Sequence, residues 1–190
     1  MERISFREAA ERIRRGEVGV VPTDTLYGIV ASALDRDAVE RVYRVRGRDE
    51  GKPCIVLLSD TTDLGRFGID PDDMSRSRLA EAWPGAVSVI LPCSDSRWKH
   101  LHRGTGTIAF RVPEDPALHD FLVSAGPIIA PSANPSGLPP ATTADEAEAY
   151  FGEDIDFLVD GGTLRNAPST IARLEGGRWT VLRQGAIHVD

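Results

Sequence analysis

Apolar positions along the chain alternate between two periods, and each period marks an element. Phe6, Ala9, Ala10 and Ile13 recur at helical spacing and predict a first helix that ends at Gly16. Ser5-Phe6-Arg7-Glu8 reads as a capping box, in which the Ser hydroxyl and the Glu carboxylate satisfy free amides of the first turn. A second helix is expected from Leu34 to Val45, with Leu34, Ala38, Val42 and Val45 on one face. Acid-capped helices follow near Thr62–Arg66 and Pro71–Ala82, then Pro116–Ser124, and Thr143–Phe151 behind Thr143 and Glu146. Short β-branched runs predict strands at Val18–Val21, Cys54–Leu58, Ala86–Leu91, Thr107–Val112, Ile128–Ala130, Phe157–Val159, Thr170–Leu174 and Trp179–Leu182. The last two flank Glu175-Gly176-Gly177 and read as an antiparallel hairpin. Trp83-Pro84-Gly85 is a turn, Pro131–Pro140 a loop, and the Arg-rich stretch Ser94–Gly106 the longest candidate mobile loop.

Strands and helices interleave without strict alternation. This predicts an α/β (α+β) fold, a mixed, twisted open sheet flanked by helices. No repeat, linker or low-complexity tract interrupts the pattern, so a single domain over residues 1–190 is expected.

Composition narrows the class. Hydrophobic residues are 41% and charged residues 27% of the 190, which is globular composition. The net charge of −7 argues against nonspecific coating of nucleic acid while leaving room for a local cationic pocket. The basic residues are almost all Arg; only Lys52 and Lys99 are lysines. Cys54 and Cys93 sit in apolar runs and read as two reduced core thiols. The N-terminus has no apolar h-region, and no stretch approaches the ~18 apolar residues of a bilayer span. A cytoplasmic location with no membrane contact is the expectation.

Several familiar motifs fail on context. Gly104-Thr105-Gly106-Thr107-Ile108-Ala109 resembles a dinucleotide fingerprint but precedes a strand instead of following one. Gly47–Pro53 has the wrong glycine spacing for a phosphate loop of the Walker type, and Pro53 stands where a Ser or Thr would hold Mg²⁺. Ser132 is outside any Gly-x-Ser-x-Gly elbow. His100 and His102 lack a third ligand at zinc spacing and read as solvated loop histidines; no metal site is expected.

Five segments survive, each with a plainer reading beside it. Pro22-Thr23-Asp24-Thr25-Leu26-Tyr27-Gly28 follows a strand, where α/β pockets open; the same residues also make an ordinary Asx or Ser/Thr turn. Arg46, Arg48 and Lys52 place three cations within seven residues, broken by glycines, and could curl around an anion or simply complement a helix dipole. Ser132 and Asn134 could face one ligand or bond their own loop. Thr107, Ala109 and Arg111 share one strand face, and an Arg among apolar residues needs an anionic partner, from a ligand or from the chain. Pro168-Ser169-Thr170 and Arg183 complete the set. Together they offer cations, hydroxyls and an amide but no nucleophile or His base, which suits chemistry done by positioning and charge neutralisation at a phosphoanhydride.

In order and spacing these residues resemble the YrdC-like threonylcarbamoyl-adenylate synthases, along nearly the whole chain. The carriers are Val20–Gly28, Arg48–Pro53, Trp83-Pro84-Gly85, Ala109–Pro113, Ala130–Asn134, Val159–Gly162, Pro168–Ile171 and Leu182–Gly185. The resemblance implies a YrdC-like fold of the single-domain type. It implies a nucleotidyltransferase reaction in which L-threonine, bicarbonate or CO₂, and ATP give threonylcarbamoyl-AMP and pyrophosphate, with Mg²⁺ steadying the latter. It also implies downstream proteins that transfer threonylcarbamoyl to tRNA, and a weak RNA contact. Arg46, Arg48 and Lys52 match the catalytic cations. Arg48, Lys52, Thr107, Ser132, Asn134 and Arg183 match the ATP-binding positions, and Thr23, Arg111, Ala130 and Ser169 the threonine-binding ones. Two departures stand out: Arg46 replaces the family Lys, and Leu57 replaces a His of some members. The alternative on the same fold is a non-catalytic RNA-binding or ribosome-maturation factor, which shares the Arg but lacks Ser-x-Asn. A carbamoyl-transfer module of hydrogenase maturation fits a 190-residue chain poorly.

Overall fold

Residues 2–190 are described by the structure, a computed structural model. Ten strands form one continuous mixed sheet. In chain order they are β1 (Glu2–Arg3), β2 (Gly19–Pro22), β3 (Tyr27–Ser32), β4 (Ile55–Leu57), β5 (Val87–Pro92), β6 (Thr107–Arg111), β7 (Ile128–Ile129), β8 (Phe157–Leu158), β9 (Thr170–Glu175) and β10 (Arg178–Arg183). Their order across the sheet is β1-β8-β2-β3-β7-β4-β6-β5-β9-β10. Parallel and antiparallel neighbours are mixed: β4 runs parallel to β6, and β5 antiparallel to it. The expected terminal hairpin is β9–β10, paired antiparallel.

Helices cover both faces. α1 (Phe6–Arg14) and α5 (Pro116–Ala125) bury Ala9, Ile13, Leu118, Phe121 and Leu122 against Val21, Val30, Leu57 and Ile128. α2 (Arg36–Arg46), α3 (Asp73–Ala82), α4 (Lys99–His102) and α6 (Ala144–Phe151) pack with Val20, Ile29, Val56, Val89, Ile108 and Phe110 on the opposite face. Val20 and Val21, or Ile29 and Val30, part to opposite sides because strand side chains alternate. No residue of β5, β6 or β9 belongs to the α1/α5 cluster. The half of that face built from these strands is therefore open, and Ile90, Ala109 and Ile171 line it half-buried.

Several expectations need correction. Tyr27–Ser32 is a strand of the first hairpin, where the sequence reading assigned no element. Its run is apolar at nearly every position because both faces are covered, so it lacks the alternation that marks a half-exposed strand. The second helix starts after Asp35, whose carboxylate accepts from the amides of Asp37 and Ala38, and Leu34 lies outside it, 45% exposed. The acid-capped helix expected near Thr62–Arg66 is present as a 3₁₀ helix, Thr61–Phe67, capped by the Asp60 carboxylate. The stretch Ser94–Gly106 is ordered by a 3₁₀ turn and α4. His100 and His102 are buried there, not solvated; His100 Nε2 lies 3.0 Å from the Ala33 carbonyl, a contact between distant segments that local sequence does not show. Cys54 and Cys93 are buried free thiols. No helix among the described residues is long and apolar enough to cross a membrane.

Candidate functional site

The β2–β3 turn is built by Thr23. Its hydroxyl donates to the Leu26 carbonyl at 2.7 Å and accepts from the amides of Thr25 and Leu26. The plainer reading of this segment is thus realised at Thr23, and the turn's effect is to aim Asp24 and Thr25 at Arg111. Arg111 is 4% exposed; its Nη2 sits 3.1 Å from Asp24 Oδ1, and its Nη1 donates to Thr25 Oγ1 at 3.2 Å. The anionic partner that an Arg on this strand face requires is therefore supplied by the chain. Arg111 Nε and Asp24 Oδ1 still lack good hydrogen-bond partners. Burial pushes the Asp24 carboxyl above its ordinary value, opposed by the Arg111 charge. Burial lowers Arg111, opposed by the Asp24 charge, and repulsion from Arg183 lowers it further. Arg183 thus acts on Arg111, while Glu114 and Asp115 act on Asp24 from the other side.

Ser169 and Arg183 adjoin this group. Ser169 is buried with its hydroxyl 2.9 Å from that of Ser88, and its carbonyl accepts from Arg183 Nη2 at 2.8 Å. Gly185 makes this approach possible: a Cβ there would lie 2.2 Å from the Pro168 carbonyl oxygen and 2.5 Å from the Thr170 nitrogen. Gly185→Ala should push the tail off β9 and release Arg183, at a cost of about 1–3 kcal/mol. Thermal denaturation reads the cost, and an unchanged Tm would show that the tail has room to shift.

The second group centres on Asn134, which is buried. Its Nδ2 donates to the Pro135 and Leu138 carbonyls at 3.0 and 2.7 Å, and its Oδ1 accepts from Ser132 Oγ at 2.7 Å. Arg46, 5% exposed at the end of α2, donates from Nε to the Asn134 carbonyl at 2.8 Å and from Nη2 to its Oδ1 at 3.0 Å. Ser132 also bridges to Gly28, so the loop is stitched to β3, and Ala130 is held by its amide to the Ile55 carbonyl at 2.9 Å. After Gly47, in the left-handed conformation, Arg48 turns inward and donates to the Lys52 and Pro53 carbonyls at 3.0 and 2.9 Å. Tyr43 Oη donates to the same Lys52 carbonyl at 2.9 Å. The Lys52 ammonium is left outside, its side chain 71% exposed and 3.6 Å from Asp49. Of the three cations of this segment, Lys52 alone is presented to solvent. Thr107 lies at the start of β6, its hydroxyl 3.2 Å from that of Thr105.

Ser88 escaped sequence reasoning, and for Asp24, Thr25 and Tyr27, which stand in the segment singled out above, the partners became visible only when elements distant in sequence were paired. Tyr27 Oη accepts from the Gly161 amide at 2.9 Å and donates to the Gly162 carbonyl at 2.8 Å. Gly161 has no room for a side chain, since a Cβ would meet Pro22 at 2.5 Å. The Asp160-Gly161-Gly162 run thus braces the β2–β3 hairpin, and its glycines were the available signal.

A buried Arg111–Asp24 pair on β6, the Ser132–Asn134 loop stitched to β3 and Lys52 exposed on the glycine loop are the polar groups available to a small anionic ligand. The Sua5/YciO/YrdC family model, described as telomere recombination, matches residues 11–185, and the chain belongs to that family. It is 34% identical over 183 residues to the threonylcarbamoyl-AMP synthase of Bacillus subtilis, covering 95% of this chain and 53% of that protein. It is 34% identical over 174 residues to the threonylcarbamoyl-AMP synthase of Chromohalobacter salexigens, covering 90% of this chain and 92% of the relative. The crystal structure of Pyrococcus abyssi Sua5 complexed with L-threonine superimposes with a TM-score of 0.87 at 32% identity, over 97% of this chain and 56% of that one. The chain thus spans about half the length of two of these proteins and most of the third.

Proposed function

We propose that the chain is a threonylcarbamoyl-AMP synthase, joining L-threonine, bicarbonate or CO₂, and ATP into threonylcarbamoyl-AMP with release of pyrophosphate. The observation that carries it is the buried Arg111–Asp24 group on β6, with Ser169 and Arg183 beside it. Family membership and a relative of that name matched over nearly its whole length support it.

In this reading Arg111 takes the amino-acid carboxylate, with Thr23 shaping the turn and Ala130 and Ser169 lining that end. The carbamate formed on the threonine nitrogen attacks the α-phosphorus, and pyrophosphate leaves. Lys52 and Arg183 neutralise phosphate charge, while Arg48 keeps the glycine loop curled. Thr107, Ser132 and Asn134 meet the nucleotide. Such a reaction needs alignment and charge compensation more than a protein nucleophile. Among the described residues no group of three or more His, Cys, Asp or Glu is placed to hold a metal ion. In this reading Mg²⁺ would accompany ATP and supply charge compensation at the phosphates. A cytoplasmic enzyme in which residues 1–190 form one domain, feeding proteins that modify tRNA, completes the proposal.

The test is incubation with ATP, L-threonine, bicarbonate and Mg²⁺, read by mass spectrometry. A threonine-dependent adenylate is expected. Its absence, or equal yield without threonine, would end the proposal and leave an RNA-binding role, whose affinity should fall steeply with salt.

A further inference from the structure

Ser88 is a hydroxyl in the middle of an apolar strand, with Val87 before it and Val89 and Ile90 after it in β5, and it is completely enclosed. A buried hydroxyl is costly unless a partner answers it. Among the described residues the one partner of its side chain is the Ser169 hydroxyl, at 2.9 Å, and Ser169 Oγ has no other hydrogen bond.

One hydrogen bond cannot satisfy this pair. Two hydroxyls bring two protons, and the bond between them uses one. The heavy-atom geometry lets either oxygen donate, but burial separates the two choices. If Ser169 donated, the unused proton would belong to Ser88, at 0% exposure and with no second acceptor. If Ser88 donates, the unused proton belongs to Ser169, which keeps 4% of its surface. The second arrangement avoids a donor stranded in the interior and is favoured.

The placement says what the free proton meets. Val89 pairs with Phe110 and Ile90 with Ala109 across β5 and β6, so Ser88 stands opposite Arg111. On its other side Ser88 pairs with Ile171 of β9. These residues share one face of the sheet, on which Ile90, Ala109 and Ile171 are half-buried rather than enclosed. The backbone at Ser169 is fixed independently. The Thr170 amide donates to the Ala86 carbonyl at 2.9 Å, and the Ser169 carbonyl accepts from Arg183 Nη2 at 2.8 Å. What remains free at Ser169 is the rotation of its side chain and hydroxyl, and Ser88 is the group that sets it.

We propose that Ser88 is a positioning residue for the threonine end of the site: it donates to Ser169 Oγ and thereby turns the Ser169 proton toward a carboxylate oxygen of the amino acid beside Arg111. This rests on the reading in which Arg111 and Ser169 meet threonine. Ser88 itself touches no substrate.

The test compares Ser88→Thr with Ser88→Val, two side chains of one shape that differ in the hydroxyl. Ser88→Val should raise the KM for L-threonine about tenfold over Ser88→Thr, with the two KM values for ATP within about twofold. A hydroxyl with only a structural role would lower the melting temperature of Ser88→Val without splitting threonine from ATP. Ser169→Ala should show the same threonine defect, and adding Ser88→Val to it should cost little more, because the two hydroxyls act in series. If β5 has no room for the extra methyl and neither variant folds, Ser88→Ala against the wild type carries the comparison. Calorimetric binding of L-threonine to the full chain is measured beside turnover. A wild type that makes no threonine-dependent adenylate ends the synthase reading, whereas threonine affinity lost in Ser88→Val and kept in Ser88→Thr still upholds the role of Ser88. Equal threonine KM and affinity in the two variants, equal losses for both substrates, additive losses with Ser169→Ala, or a wild type that binds no threonine would overturn the proposal.

Discussion

Arg46→Ala should lower kcat/KM for ATP by about 100-fold, the cost expected when reacting groups shift by roughly 1 Å. The guanidinium bridges the end of α2 to the backbone carbonyl and side-chain oxygen of Asn134, both inside a buried loop. Removing it strands the Asn134 carbonyl, at about 1–3 kcal/mol for a group left unsatisfied, and leaves Asn134 Oδ1 to Ser132 alone. Ser132 donates to the same Asn134 oxygen, so the loop that would meet the nucleotide loses its reference point. Arg46→Lys separates positioning from charge. A single ammonium keeps the charge but not the planar pair of donors, so partial rescue with a raised KM for ATP is expected. Steady-state kinetics of adenylate formation beside a thermal melt check both variants. Full activity in Arg46→Ala would show that the loop holds without the bridge.

Arg111→Met should destabilise the fold by about 3–5 kcal/mol, because it leaves Asp24 as an uncompensated buried carboxylate. The double variant with Asp24→Asn should lose less than the sum of the two singles, and the cycle in denaturant isolates the coupling. Additive losses would mean that Asp24 and Arg111 do not depend on one another. Both Arg111 variants should raise the KM for threonine far more than that for ATP. Asp24 also has a pH signature. Its folded pKa is raised, so the folded state holds the proton more tightly than the unfolded chain does. Asp24 therefore favours folding at low pH, and this contribution is lost as pH climbs from about 4, the unfolded carboxylate value, through the raised folded value. The stability of the wild type relative to Asp24→Asn should fall across that window. Most other shifted carboxylates, such as Asp49 and Asp72, are lowered by backbone hydrogen bonds and slope the opposite way, which is why the difference between the two proteins is the useful quantity.

Local signals were legible where local physics decides. Thr143 caps α6 through the Glu146 amide, and Ser5 caps α1 through that of Glu8, as their spacing implied. The β9–β10 hairpin and the buried β4 run follow from turn chemistry and apolar patterning. The site was legible as a set of residue types but not as an arrangement. Arg111 announced a need for an anion without naming Asp24, which is 87 positions away in the chain (111 − 24). Arg46 and Arg48 looked equivalent to Lys52 in sequence, yet both turn inward to loop carbonyls. The short polar and basic stretch around His100 looked mobile because its ordering contact, the Ala33 carbonyl, comes from another strand's end.

What the sequence determined alone was most of the inventory: which segments pair or coil, apart from Tyr27–Ser32 and the helix at Lys99–His102, that the sheet is mixed, and that cations, hydroxyls and an amide gather at strand ends. Periodicity and capping act over a few residues, so one chain read in order suffices for them. What only the tertiary structure decided was which polar groups are already satisfied by the protein and which remain for a ligand. That depends on burial and on partners remote in sequence, since a buried charge or amide must find its counterpart wherever the fold brings one.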